Sequence, residues 1–301
     1  MINGQDETTA NFLDIYKEKN GWKDLEYHQV GEQSVTKAEA RNLAAQFVKT
    51  QYLGFLCEYT EVPEHYLTKA LEVIQNYGPD AFGGPDLTHP DSSYFEKAVG
   101  GIYTSGLAKG PNHIRHSLKH KMKTNVTTVK EHGLNNCNLW FKSEVFHKHR
   151  FAFDSRLKKN EERVLLHKLI SARRKVCLVH DFYVYNRRSS SLKDLIKQSF
   201  VSGRYLTYSF FLYPKSFDLV STAPLFLLIY LLSTPFLLKT NLVVILYLYT
   251  LANIYYSMKT SYHTRSFWNF PVYLFMHVLL NITHGIGALT AILRRPKKSL
   301  T

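Results

Sequence analysis

Two adjacent carboxylates, Glu161-Glu162, follow Asn160 and precede a stretch with apolar residues at Val164, Leu165, Leu169 and Ile170. Asn160 suits a helix N-cap, which puts both acids in the first turn, where unpaired backbone N–H groups favour an ionised carboxylate. A carboxylate held ionised beside a hydroxyl can take its proton, so the pair is a candidate general base; plain dipole complementation is the simpler use of the same arrangement. His113, His116 and His120, spaced three and four apart, align on one helical face and are a conceivable metal site. No acid or thiolate lies near them in sequence, so a surface role is expected.

The elements that must position the acidic pair run from Phe153 to Tyr205. They read as a charged turn, a helix, a strand over 176–184, a basic turn and a second helix. Ser191 and Asp194 open that second helix with a capping-box pattern, and Leu192, Leu195, Ile196 and Phe200 give it an apolar stripe. Gln198 and Gly203-Arg204-Tyr205 are expected to close it. Upstream, residues 37–49 read as a helix with Ala38, Leu43, Ala44 and Phe47 available for packing. Residues 52–57 read as a short apolar strand suited to a parallel sheet. A helix is expected over 63–77, with Leu67, Ala70, Leu71 and Ile74 on one face and Gly78-Pro79 as its stop. A strand ending in Gly83-Gly84-Pro85 follows, and then Asp91 to Ser93 cap a helix around 94–102.

This order of features resembles the processive-type family 2 glycosyltransferases, most closely the branch similar to succinoglycan-biosynthesis enzymes. The resemblance implies an α/β, Rossmann-like GT-A domain over residues 1–205, incomplete at the N-terminus by one βα unit, and a C-terminal membrane region over 206–301. In that family the second carboxylate of the acidic pair deprotonates the acceptor; here the pair is Glu161-Glu162, with Glu in place of the usual Asp, and the second carboxylate is Glu162. Asn3 and Gly4 stand in the turn that reads the donor's uracil and ribose. Arg41, in Ala-Arg-Asn, stands in the helix that approaches the donor phosphates. Asn138 lies in the segment that lines the acceptor and donor-sugar pocket. Gln198, Arg204 and Tyr205 match the Gln-x-x-Arg-Trp-like element on the acceptor side, with longer spacing and Tyr for Trp. Where the family carries the Asp-x-Asp that holds Mg²⁺ or Mn²⁺, this chain has Cys57-Glu58-Tyr59. Glu58 and Glu61 remain as oxygen ligands for a hard cation, one place off the motif. The implied reaction moves a sugar from a nucleotide-sugar donor to a surface-glycan or polyprenyl-linked acceptor, with inversion, as in exopolysaccharide biosynthesis. The lost aspartates also fit a non-catalytic scaffold or subunit at the membrane.

The formal net charge is +14, and residues 109–150 hold nine Lys or Arg and six His against Glu131 and Glu144. Beside a membrane region, anionic lipid and a substrate diphosphate are better partners for this excess than nucleic acid, which has only charge in its favour. Residues 219–238 are 20 uncharged positions, enough to cross a hydrocarbon core of about 30 Å, and 242–257 return as a second span. A third apolar segment, 272–293, carries a polar stripe of His277, Asn281 and His284 and is followed by Arg294-Arg295-Pro296-Lys297-Lys298. The positive-inside rule sets that tail against a third crossing, so a re-entrant or interfacial segment is expected. Three scattered cysteines suit a reducing compartment, and the polar start MINGQDETTA lacks a signal-peptide core. The expected location is therefore the cytoplasmic membrane, multi-pass, with the catalytic domain facing the cytosol.

Overall fold

The computed structural model describes residues 2–3, 7–20, 29–30, 35–118, 126–128, 130, 133–237 and 240–295. Its N-terminal part runs β1 (Ile2–Asn3), α1 (Glu7–Asn20) and β2 (Gln29–Val30), with β1 and β2 parallel in a two-stranded sheet. Next come α2 (Lys37–Phe47), β3 (Tyr52–Leu56), β4 (Thr60–Glu61), α3 (Tyr66–Tyr77), β5 (Ala81–Gly83), β6 (Asp86–Thr88), α4 (Tyr94–Tyr103) and α5 (Gly106–Lys109). A 3₁₀ turn over Gly110–His116 leads to β7 (Val126–Thr128), β8 (Asn138–Lys142) and α6 (Glu144–His147). The chain then makes α7 (Glu161–Ser171), β9 (Val176–Val179), β10 (Val184–Asn186) and α8 (Leu192–Leu212), and ends in α9 (Leu219–Leu237), α10 (Val244–His263) and α11 (Phe270–Leu293).

The central sheet has the order β3-β8-β5-β9-β7. It is mixed: β8 is antiparallel to both β3 and β5, while β5 and β9 are parallel. The expectation of a parallel sheet around residues 52–57 is corrected here, since among the described residues β3 pairs only with β8. A strand with one such neighbour is half exposed, and its burial accordingly alternates at Gly54 and Leu56. One face of the sheet packs Leu139, Phe141, Val176 and Leu178 against Leu165, Leu166 and Leu169 of α7. The other face packs Phe82, Cys177 and Val179 against Tyr66, Ala70 and Val73 of α3. Each large side chain buried this way contributes roughly 1.5–3 kcal/mol, so this two-sided core fixes the first turn of α7 relative to the sheet. A smaller sheet, β4-β10-β6, lies beside it.

The helical faces differ from those expected. In α2 the buried residues are Ala38 and Ala45, and Phe47 is 51% exposed. In α3 the buried side is Tyr66, Ala70 and Val73, leaving Leu67 and Leu71 exposed; Gly78 ends the helix in the left-handed conformation, as its type favours. Ser93 and Glu96 form the capping box that opens α4. Asn160 stands at the N-cap position of α7 but makes no side-chain cap; its amide instead donates to the Ser202 carbonyl of α8 at 3.3 Å.

The largest departure is α8. Gln198 and Gly203-Arg204-Tyr205 do not close it, and the helix runs on to Leu212. Gly203 is needed for packing: a Cβ there would fall on the backbone of His284, and one at Gly287 would fall on the carbonyl of Phe200. The two glycines let α8 and α11 lie parallel with their backbones in contact, from Ser199 Oγ on the Leu280 carbonyl to Tyr208 Oη on the Arg294 carbonyl. Among the described residues, three segments are long and apolar enough to cross a membrane: Leu219–Leu237, Asn241–His263 and Phe267–Leu293. The first two are little buried, whereas the third is more so and lies between the hairpin and the α4, α5 and α8 side of the domain. α11 is one unbroken helix. Its polar stripe also faces protein: His277 contacts Ser105 Oγ at 2.7 Å and Ser257 Oγ at 3.0 Å, and Asn281 donates to the Leu107 carbonyl at 3.4 Å.

Candidate active site

At the start of α7, Glu161 and Glu162 are both buried. The Asn136 amide, in the loop before β8, bridges them, donating to Glu161 Oε1 at 3.0 Å and to Glu162 Oε2 at 3.1 Å. Glu161 is also ion-paired with Arg41 of α2, whose guanidinium lies 5.7 Å from the centroid of the Phe153 ring. Burial pushes Glu161 above the ordinary carboxylate range, and the like charge of Glu162 adds to this, while Arg41 opposes it. Arg41 is thus the charge that favours the ionised form of Glu161 against its burial and its neighbour. Glu162 has no ion pair among the described contacts and is the freer acid of the two. Lys159, half-buried just before the helix, is pushed down by burial, and the Glu162 charge is the largest influence raising it. The Oδ1 of Asn136 is buried with no hydrogen-bond donor among the described residues, leaving an open acceptor beside the acids.

Cys57 and Cys137 flank this cluster, their Sγ atoms 3.2 Å apart. Glu58 turns outward toward Lys37 Nζ at 3.5 Å, with 63% of its side chain exposed. Glu61 lies on β4 with its carboxylate 2.7 Å from His89 Nε2. Among the described residues no three of His, Cys, Asp and Glu gather as metal ligands, and each of these two carboxylates already faces a cationic or imidazole partner. As arranged, they do not fit a bound Mg²⁺ or Mn²⁺.

The remaining candidate residues are spread apart. Asn3 lies on β1, opposite Val30, and Gly4 is outside the described residues. Asn138 is fully buried: it accepts from Tyr66 Oη at 2.8 Å and donates to the Phe182 carbonyl at 2.6 Å, which makes it a core residue. Gln198 is exposed on α8. Arg204 donates to Tyr208 Oη at 3.1 Å, and Tyr205 packs with Leu157, Val164 and Ala291. The structure therefore joins Arg41, Glu161 and Glu162 and leaves Asn138, Gln198, Arg204 and Tyr205 in other settings.

A second buried cluster lies nearby around Asp86, just after Gly83-Gly84-Pro85. A Cβ at Gly84 would overlap the Phe182 carbonyl, so glycine is required there. Asp86 accepts from Arg188 Nη1 at 2.7 Å and from Asn135 Nδ2 at 3.0 Å, and His116 Nδ1 lies 2.7 Å away. His116 thus has an acidic neighbour in space that its sequence surroundings lack; His120 is outside the described residues. Against its burial, the cationic surroundings hold Asp86 well below the usual carboxylate range. Burial keeps His116 down at about 4, so at neutral pH the balancing cation is Arg188.

Asn136, Lys159 and the Asp86–Arg188 pair were not singled out from sequence. Asn136 carried the only available signal, as one of four closely spaced Asn and Cys residues in a segment already noted. No protein-family profile matches the chain, and no curated protein matches it by sequence. Among solved structures, S. aureus TarS residues 1–349 crystallised with UDP and with UDP-GlcNAc align with 98% of this chain and 81% of their own. Their identities to it are 12% and 11%, and each TM-score is 0.44.

Proposed function

We propose that the chain is a membrane-bound glycosyltransferase that moves a sugar from a nucleotide-sugar donor to a hydroxyl acceptor with inversion. The observation that carries this reading is the buried pair at the start of α7, in which Arg41 occupies Glu161 and leaves Glu162, among the described residues, with the shared Asn136 amide. In the proposed step Glu162 Oε2 takes the acceptor's proton while the hydroxyl oxygen attacks the anomeric carbon in line, and the nucleoside diphosphate departs. Asn136 and Arg41 hold the two carboxylates apart in role, one structural and one reactive. Lys159 stands close enough in the electrostatic field to meet negative charge that develops on this side. No step is assigned to a metal ion. The acceptor proposed is a glycan or a polyprenyl-linked sugar arriving from the bilayer. In the matching topology the α9–α10 hairpin crosses, α11 lies at the interface along α8, and the domain faces the cytosol.

Transfer from a set of UDP-sugars, UDP-GlcNAc included, to lipid and glycan acceptors in native membranes tests the reading. A general base contributes about 10²–10⁴-fold, so Glu162→Gln is expected to lose that much rate and retain its melting temperature. Undiminished transfer in Glu162→Gln overturns the assignment. A second reading, a non-catalytic subunit, is favoured by the outward position of Glu58 in the place of Asp-x-Asp. Donor binding without turnover, in membranes that contain the acceptor, would select it.

A further inference from the structure

We propose that Cys57 and Cys137 form a redox modification site, a dithiol that a hydroperoxide converts to a disulfide at the edge of the acidic pair. The register of the sheet carries the argument. β3 and β8 are antiparallel with Leu56 opposite Asn138, so the next residues outward, Cys57 and Cys137, are cross-strand neighbours. Directly opposed residues on antiparallel strands have Cα atoms about 4.5–5.5 Å apart, inside the roughly 4.4–6.8 Å span of disulfides. Here the sulfurs already face each other at 3.2 Å. Both thiols are partly exposed, within reach of a small oxidant, whereas Cys177 is buried in β9. The Asn186 amide donates to Cys137 Sγ at 3.2 Å and fixes its rotamer toward Cys57.

The chemistry balances with one hydroperoxide. The Cys57 sulfur attacks the peroxide oxygen, the O–O bond breaks, and a sulfenic acid and one water form from hydrogen peroxide. Cys137 Sγ then displaces hydroxide from that sulfur, giving the S–S bond and a second water. Two thiols lose two hydrogens and two electrons, and the peroxide accepts them. Closing the sulfurs from 3.2 Å to about 2.05 Å draws in the loop on which Asn136 holds both glutamates, so the modification reports directly at the carboxylates.

The test uses the full chain in its membranes, titrated with hydrogen peroxide, alkylated, and mapped without reduction. A Cys57–Cys137 cross-linked peptide is expected, with both cysteines leaving the alkylated pool in equal amounts, Cys177 unchanged, and recovery with dithiothreitol. In Cys137→Ser, Cys57 is expected to be trapped by dimedone as the sulfenic acid. Cys57 and Cys137 that both stay alkylated, or sulfinic acid without a cross-link in the wild-type chain, overturn the proposal. The mapping reads the sulfurs alone and is independent of any transferase activity.

Discussion

Asp86 and the Glu161-Glu162 pair are buried carboxylates in neighbouring parts of one domain, yet their surroundings give them opposite proton chemistry. Asp86 brings one negative charge to one guanidinium, and each of its oxygens accepts a charged or amide donor. Its own backbone carbonyl binds the second nitrogen of Arg188 as well, at 2.5 Å. Burial alone would favour a proton there, and the cationic surroundings outweigh it. The α7 pair brings two negative charges to Arg41 and a single shared amide, and the nearby Lys159 is itself weakened by burial. Burial is common to both places; the surplus of negative charge is found in one. A buried acid becomes a base when its donors are fewer than its charges, and becomes a structural anchor when they match.

The contrast can be attacked at four points. The largest effect is expected at Glu162: the Gln variant loses about 10²–10⁴-fold in kcat, with thermal unfolding unchanged, and a similar loss from Asp86→Asn with no change in stability would erase the distinction. Next, Arg188→Ala leaves Asp86 buried without its guanidinium and should cost about 3–5 kcal/mol in denaturant unfolding; a cost below about 1 kcal/mol would mean that Asp86 is not anchored as described. Asn136→Ala removes the donor shared by the glutamates and should cost about 1–3 kcal/mol, with the pH profile of transfer shifted upward as Glu161 and Glu162 repel each other without it. The smallest effect is a slope. His116 is held down to about 4 from an unfolded value of about 6.5, so its contribution is complete above about pH 6.5 and is lost as pH falls toward 4. Asp86 is also depressed, and its contribution is lost on further acidification below about pH 4. The stability lost between pH 6.5 and 4 through His116 is at most about 1.4 kcal/mol per pH unit, and His116→Asn should flatten that part of the curve.

Local pattern carried much of the fold. The Ser93 capping box, the Gly78 stop, the start of α7 and the three apolar segments lie where side-chain type and spacing place them, because each depends on residues within a turn or two. The acidic pair and Arg41 were legible as well, though their mutual ion pair was not. Longer-range facts had no local signature: Arg188 and Asp86 are 102 positions apart, and Asn136 reaches glutamates 25 and 26 residues away. Gly203 was misread for a physical reason. Glycine ends many helices through backbone freedom, but here its missing side chain admits a neighbouring helix, and only the neighbour reveals that. The buried faces of α2 and α3 slipped for a similar reason, since several apolar residues were available and the sheet selects among them. Asn138 shows the converse, a polar residue in a suggestive segment that the core uses to hold Tyr66 and Phe182.

The α8 helix has one last consequence. It begins in the domain, holds the N-terminus of α7 through Ser202, and lies against α11 along the glycine seam before handing the chain to the hairpin. There is consequently no seam at which the α/β part could be cut free: a chain ending at residue 205 would sever a helix at mid-length and strip α11 from the remainder. Keeping the whole helical stack together is a condition for studying the acids at all, and the apolar helices could be shed only by rebuilding the domain's own wall.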